Sequence, residues 1–278
     1  MPVRIVQSKQ NARLKQLRRV LAQPGRAPGG LAGIEGPNLL EEALRAGLHI
    51  ACVFVAQDAE QLLNTLSLAD DIEILLLPRE LLAPALATES PQPIAALVEP
   101  PDWTWAHVLG VHDKNASLVL VLAGLQDPGN LGTILRSAEA FGANGIISLP
   151  GTVSAWNSKA VRASAGSVFR VPLLAATPDE CFLRLREAGV KVLSTAVRGA
   201  EPANRADLTG SVALLIGNEG NGIPKELAAR AGGTITIPCP GPVESLNAAV
   251  AASVLLYEAS RQRLIPNSTP PHHRKDPL

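Results

Sequence analysis

At 278 residues, with 25 Lys and Arg against 25 Asp and Glu, the chain can bury a large core or two smaller ones, and its net charge of zero selects no partner. Cys52, Cys181 and Cys239 are odd in number and lack metal-ligand spacing, which excludes a disulfide or zinc framework and fits thiols in a reducing cytoplasm. No signal-peptide core opens the chain and no apolar run reaches bilayer-spanning length, so a cytoplasmic protein with no membrane attachment is expected.

Residues 1–34 contain Arg4, Lys9, Arg13, Lys15, Arg18, Arg19 and Arg26 and not one acid. From Ser8, read as an N-cap, Leu14, Leu17 and Leu21 recur at helical spacing and leave the cations on the outer faces of one helix. Such a face is either merely solvated or a footprint for RNA or DNA, since unopposed cations gain from counterion release. After a loop over 22–30, Ile34-Glu35-Gly36-Pro37 leads into a helix over 38–46 and a strand over 50–55. A helix over 60–66 and strands over 72–77 and 94–98 complete a small alternating unit. Pro91, Pro93, Pro100 and Pro101 crowd its end, which places a boundary near 100–115.

Beyond the boundary, strands are predicted over 118–123, 145–149, 190–196, 212–216 and 234–237. Helices are predicted over 131–141, 157–165, 178–188, 225–231 and 246–261. Strand and helix trade places throughout, the pattern of a mostly parallel sheet covered on both sides. The tail from Pro266, with His272-His273-Arg274-Lys275, reads as disordered, its histidines solvated rather than metal-bound.

Three polar clusters stand at strand ends in the second unit. In Leu214-Leu215-Ile216-Gly217-Asn218-Glu219-Gly220-Asn221-Gly222-Ile223-Pro224 an apolar strand breaks into glycines and one carboxylate, with Pro224 suited to the first helical position. The glycines allow positive φ and close approach of a ligand to bare backbone, at the carboxyl end of a strand where open α/β sheets bind ligands. Turn geometry alone is the plainer explanation. No Lys-Ser or Lys-Thr follows, the spacing is not that of the dinucleotide fingerprint, and Glu219 would repel a pyrophosphate.

The second cluster is Asp127-Pro128-Gly129-Asn130-Leu131-Gly132-Thr133-Ile134-Leu135-Arg136, in which Asn130 reads as a helix cap and Arg136 lies nearly two turns along. The third is Ile237-Pro238-Cys239-Pro240-Gly241-Pro242-Val243-Glu244-Ser245-Leu246-Asn247, with Ser245 read as the N-cap of an alanine-rich helix. Together they offer Arg, Glu, Ser and Asn. His49, His107 and His112 lie outside every cluster, so a Ser-His-Asp relay lacks its base and a hydrolytic metal site lacks ligands. Hydrogen bonding, one guanidinium and one carboxylate suit a reaction whose electrophile arrives already activated on a cofactor.

The order and spelling of these clusters, Asn130 with Arg136, then Gly217 to Gly222, then Ile237-Pro238 with Ser245-Leu246-Asn247, resemble the SpoU (TrmH) family of RNA ribose methyltransferases. The resemblance is strong over residues 118–263 and looser over 1–105. It implies a SPOUT-type α/β fold, a parallel sheet with a C-terminal trefoil knot, behind a small ribosomal-protein-like domain that grips RNA. It divides the chain into an RNA-binding domain over 1–105, a methyltransferase domain over 106–266 and a tail over 267–278. It further implies S-adenosylmethionine as cofactor and a homodimer whose chains complete each other's sites. Carried over, Gly217, Asn218, Ile237 and Leu246 would hold the cofactor, with Thr195 and Ala196 on its adenosine side. Arg136 would be the catalytic residue, with Asn130, Glu219, Ser245 and Asn247 arranging the ribose and the pocket around it. The implied reaction is 2′-O-methylation of RNA, with ribosomal RNA favoured. Transfer RNA, or RNA binding without catalysis, is the alternative.

Overall fold

Strands without a polar face must be covered on both sides, and the sheets of this protein are covered so. The computed structural model describes residues 2–23, 30–86, 88–111, 115–243 and 245–264. Its first unit comprises β1 (Val3–Ile5), α1 (Ala12–Ala22), β2 (Ala32–Glu35), α2 (Pro37–Arg45), β3 (Ile50–Ala56), β4 (Glu73–Leu77), α3 (Arg79–Leu82) and β5 (Ile94–Val98). Its strands form a mixed sheet in the order β1-β4-β3-β5-β2, in which β5 runs antiparallel to both neighbours.

The second unit begins with α4 (Trp105–Leu109), β6 (Leu118–Leu122), α5 (Pro128–Ala140), β7 (Gly145–Ser148), α6 (Ser158–Ser164), β8 (Leu173–Ala175) and α7 (Pro178–Glu187). It continues through β9 (Lys191–Thr195), β10 (Glu201–Pro202), β11 (Val212–Ile216), α8 (Lys225–Ala228), β12 (Thr234–Thr236) and α9 (Ala248–Leu264). Its sheet has the order β10-β12-β9-β11-β6-β7-β8, and every pairing is parallel.

Alternation along each strand sorts the core. Leu118, Leu120 and Leu122 join Val212, Leu214 and Ile216 on the face covered by α5, α6 and α9, whereas Val119, Val121, Ala213 and Leu215 face α4 and α7. In the first sheet Val53, Val55, Ile74 and Leu76 belong to the same large cluster as Leu118 and Leu120, so the two units share one apolar interior. The opposite face, Cys52, Phe54, Leu75 and Leu77, is closed by Leu14, Leu17, Val20 and Leu21 of α1.

Several expectations change in detail. The N-cap of α1 is Asn11, whose side chain accepts from the Leu14 amide at 3.1 Å, while Ser8 closes the preceding turn through the Gln10 amide. Residues 57–65 form a 3-10 segment broken at Ala59 rather than an α-helix over 60–66. Pro224 is the cap of α8, not its first residue, and α8 is a single turn. β1, β2, β8, β10, α3 and α4 were not predicted, because stretches of two to five residues leave no readable period. The cations of the first helix are not all unopposed: Arg4 and Arg13 both pair with Glu73, at 3.3 and 3.1 Å. Lys9, Lys15, Arg18 and Arg19 are exposed and form no ion pair among the described residues, whereas Arg26, His112 and the tail from Pro266 lie outside them.

The closest helix packing is between α5 and α6, where Gly132 faces α6 backbone. A Cβ built there would lie 2.5 Å from the Ala160 carbonyl oxygen and 2.8 Å from the Ser164 amide. Gly132→Ala is therefore expected to cost about 1–3 kcal/mol through overpacking. Gly210→Ala, where a Cβ would meet nothing within 4 Å and φ is not positive, should be near neutral. Thermal unfolding followed by circular dichroism reads both, and equal midpoints would refute the packing argument.

Candidate active site

Four adjacent strands, β12, β9, β11 and β6, end side by side, and the sequence-predicted residues lie at or just past those ends. Thr195 and Ala196 finish β9, with the Thr195 hydroxyl donating to the Leu215 carbonyl at 3.0 Å and the Ala196 amide to the Ile235 carbonyl at 2.9 Å. Gly217 and Asn218 follow β11, Ile237 follows β12 and packs half-buried against the core, and Asn130 opens α5 beyond β6. Ser245 is exposed and Leu246 half-buried in the loop before α9.

The loop after β11 is a closed turn. Asn218 and Gly222 exchange both backbone hydrogen bonds, at 3.0 and 2.9 Å, with Gly222 at φ +67°. The Asn218 side chain locks the turn, accepting from the Gly220 and Asn221 amides at 2.9 and 3.1 Å and donating to the Gly124 carbonyl at 2.7 Å. A Cβ on Gly217 would sit 2.4 Å from the Gly222 carbonyl carbon and 2.6 Å from the Ile223 nitrogen. Glycine is thus required there by the loop's own backbone, before any ligand is considered.

This turn aims Glu219 at the mouth of α5. Its carboxylate accepts from the amides of Gln126 and Asp127, each at 3.2 Å, and from the Asn130 side-chain amide at 2.9 Å. The Asn130 carbonyl oxygen in turn accepts from the Asn247 side-chain amide at 3.0 Å. The Asn247 oxygen then caps α9, accepting from the Ala249 and Val250 amides at 2.9 and 3.2 Å. One chain, Glu219 to Asn130 to Asn247, therefore ties together the three clusters. Burial alone would raise the Glu219 carboxyl, but hydrogen bonds from Asn130, Gln126 and Asp127 outweigh it and hold it below the ordinary range.

Two capping assignments are corrected here. Asn130 does not cap α5: Asp127 does, accepting from the Asn130 amide at 2.8 Å, so that Asn130 stands inside the first turn. Ser245 does not cap α9, since Asn247 holds that position. Asp127 also receives the Lys159 ammonium at 3.2 Å, and its carboxyl is held low by the Asn130 amide first and by Lys159 next. Sequence reasoning gave Asp127 no role, although an acid just before a helix-opening proline is a standard cap signal. Arg136, six residues beyond Asn130, is exposed and forms no hydrogen bond or ion pair among the described residues. Its guanidinium is left to an outside partner.

A depressed carboxyl stabilises above its unfolded value, and that contribution is lost as pH falls through the folded one. Glu219 and Asp127, both held below the ordinary carboxylate range by these hydrogen bonds, should therefore make stability fall as acid is added through and below that range. Glu219→Gln should flatten that fall while lowering the midpoint at pH 7. An unchanged acid profile in the variant would show that the carboxylate does not hold the loops.

Comparison with known proteins agrees with this geometry. Residues 117–257 match the model of the SpoU rRNA Methylase family, and residues 11–96 match an MRM3-like substrate binding domain. The chain is 32% identical over 252 residues to 23S rRNA (guanosine(2553)-2′-O)-methyltransferase RlmP of Bacillus subtilis, covering 91% of this chain and 97% of that protein. It is similar to an AdoMet-bound rRNA methyltransferase from Sinorhizobium meliloti, with 31% identity and a TM-score of 0.81 over 95% of this chain and 99% of that one. It is also similar to the SpoU methyltransferase AviRb from Streptomyces viridochromogenes in complex with AdoMet, with 29% identity and a TM-score of 0.80 over 91% and 98% of the two chains. With half of its length matched by the family model and its motif loops joined at one sheet edge, this chain belongs to the SpoU rRNA methylase family.

Proposed function

We propose that this protein transfers the methyl group of S-adenosylmethionine to a ribose 2′-hydroxyl of RNA, and that the RNA is ribosomal rather than transfer RNA. The observation that carries the reading is the hydrogen-bonded chain from Glu219 through Asn130 to Asn247, with Arg136 exposed and unpaired among the described residues further along α5. The relatives named for ribosomal RNA support the choice of substrate, as does the match of residues 11–96 to a substrate binding domain.

The residues at the strand ends fit this cofactor. Gly217, Asn218, Ile237, Leu246, Thr195 and Ala196 offer backbone and half-buried apolar surface, and the Glu219 carboxylate disfavours a phosphate-bearing dinucleotide while tolerating a cationic sulfonium. When bound, S-adenosylmethionine supplies an activated methyl group, so the protein has only to align the hydroxyl and remove its proton. A guanidine stays protonated in proteins, so Arg136 acts as a cation: it binds an RNA phosphate and stabilises the forming alkoxide, with phosphate or water taking the proton. Asn130 and Asn247 already spend their oxygens within the protein, which leaves each one amide hydrogen to orient the sugar. Glu219 orients Asn130, and the exposed Ser245 hydroxyl would help position the ribose. The trefoil knot around the 237–247 loop, the domains over 1–105 and 106–266, and a cytoplasmic setting belong to the same reading. Burial pushes the Cys52 and Cys181 thiols up to about 12, as suits unreactive thiols.

A homodimer is part of the proposal. α9 buries Ala252, Leu255 and Ala259 but exposes Val250, Val254 and Tyr257, at 48%, 40% and 54%. An apolar stripe opposite a buried one supports a second copy of the chain at this helix. Val254→Glu should then yield monomers by light scattering, and a variant as dimeric as the parent would remove α9 from the interface.

Tritiated S-adenosylmethionine and undermethylated ribosomal RNA test the activity directly, and transfer to transfer RNA alone would reverse the substrate choice. Arg136→Ala should lower kcat about 10²–10³-fold. Arg136→Lys should retain measurable methylation, and a lysine variant as inactive as the alanine one would point to a specific guanidinium role. Gly217→Val, which collides with Gly222 and Ile223, should lose cofactor affinity in calorimetry through distortion of the whole turn.

A further inference from the structure

An open cleft lies where the two units meet. It measures about 470 Å³ and is lined by Glu35, Thr88, Glu89, Ser90 and Gln92 of the first unit and Arg162 of α6, a size typical of small-molecule sites. Glu35 is 6% exposed. Its Oε1 accepts from the Thr88 hydroxyl and from the Gln92 amide at 2.9 Å, whereas its buried Oε2 accepts from none of the described residues. A buried carboxylate oxygen without a donor is costly, and a ligand N–H reaching it would relieve that cost. Arg162 is exposed at the rim and pairs with neither carboxylate.

The walls are held by contacts between the units. Arg170 donates to Glu42 of α2 at 2.7 Å and to Glu139 of α5, and β2 packs on α6 within the shared apolar cluster. One helix borders both the cavity and the candidate active site. α6 carries Lys159, bound to the cap residue Asp127, and Arg162 stands one turn further along the same helix.

We propose that this cavity holds a base of the substrate RNA, guanine by preference, distinct from the nucleotide whose ribose is methylated. Two carboxylates against one guanidinium disfavour a phosphate and favour a neutral group rich in donors. Guanine presents N1–H and N2–H together, a match for a carboxylate, with O6 beside them for a guanidinium. Adenine and cytosine offer one amino group at the pairing edge, and uracil offers a single N–H. The cavity thus reads sequence for the reaction, while the exposed cations of α1 meet only the backbone.

This inference rests on the RNA-methylating reading, and its test separates the two. Full-length protein is assayed with an unmodified 23S rRNA transcript and saturating S-adenosylmethionine. Glu35→Gln keeps the acceptor for Thr88 and Gln92 but replaces the other oxygen with a donor, and Arg162→Met removes the rim cation from an exposed position. Each should raise the KM for RNA about tenfold, with kcat and cofactor affinity unchanged. Equilibrium dialysis with the four nucleosides, the cofactor site filled by S-adenosylhomocysteine, should show guanosine retained by the parent and released by Glu35→Gln. Parental KM in both variants, or preferential retention of another nucleoside, overturns the assignment. A parent protein that methylates no RNA overturns instead the activity on which it rests.

Discussion

The arrangement of the site depends on one constraint: an ionised carboxylate can only accept. Because Glu219 takes the Asn130 amide, Asn130 must turn its oxygen outward, and that oxygen can only be met by a donor. Asn247 supplies the donor and is thereby left with its oxygen facing the free amides of α9, where a cap is needed. The polarity of three side chains, and the start of a helix, are thus fixed from one residue. Reversing the Asn130 amide would set its oxygen against the Glu219 carboxylate and its N–H against the Asn247 N–H, so the loops are coupled rather than merely adjacent.

Rigidity around this chain comes from backbone brought closer than side chains allow. Gly217 permits the turn that presents Glu219, and Gly132 permits α5, which bears Asn130 and Arg136, to lie against α6. Gly166 does the same between the units: it takes φ +91°, and a Cβ there would stand 2.7 Å from the Glu42 Cβ. The half-buried Arg170 beside it spans Glu42 and Glu139, whose carboxyl it holds below the usual range. A guanidinium shared by two carboxylates from different units fixes their relative orientation more firmly than an exposed pair could. Arg170 thus links α5 directly to α2 of the first unit.

Much of this was legible before the structure. Val212 to Ile216 is an unbroken apolar run that forecast a strand buried on both faces, and all five residues are buried. The three polar clusters were visible because glycine, asparagine and proline concentrate where strands end. Caps were misread because Ser8, Asn130 and Ser245 each have a capping residue type, yet a cap is decided by which neighbour meets the free amides, and Asn11, Asp127 and Asn247 do so. The importance of Gly217 was recognised for a different reason, since its excluded volume arises from Gly222 and Ile223, which only the folded turn brings back upon it. Arg170 and Glu35 were invisible, because their partners lie between 31 and 128 residues away.

The position of α9 shows how a loop with no regular structure can be held well enough for chemistry. Asn247 anchors its first turn to Asn130. At its last turn Arg263 donates to the carbonyls of Ala116, Ser117, Leu208 and Gly210, between 2.7 and 3.1 Å. Those carbonyls lie at the opposite end of β6 and β11 from the site. Burial lowers the Arg263 pKa, yet a guanidinium so far above neutrality stays charged, and four carbonyl dipoles compensate its lost water. The helix is pinned near both ends, so its first turn can shift neither along the strands nor away from them. Ser245 and Leu246 lead directly into that anchored turn, although neither makes the bonds that fix it.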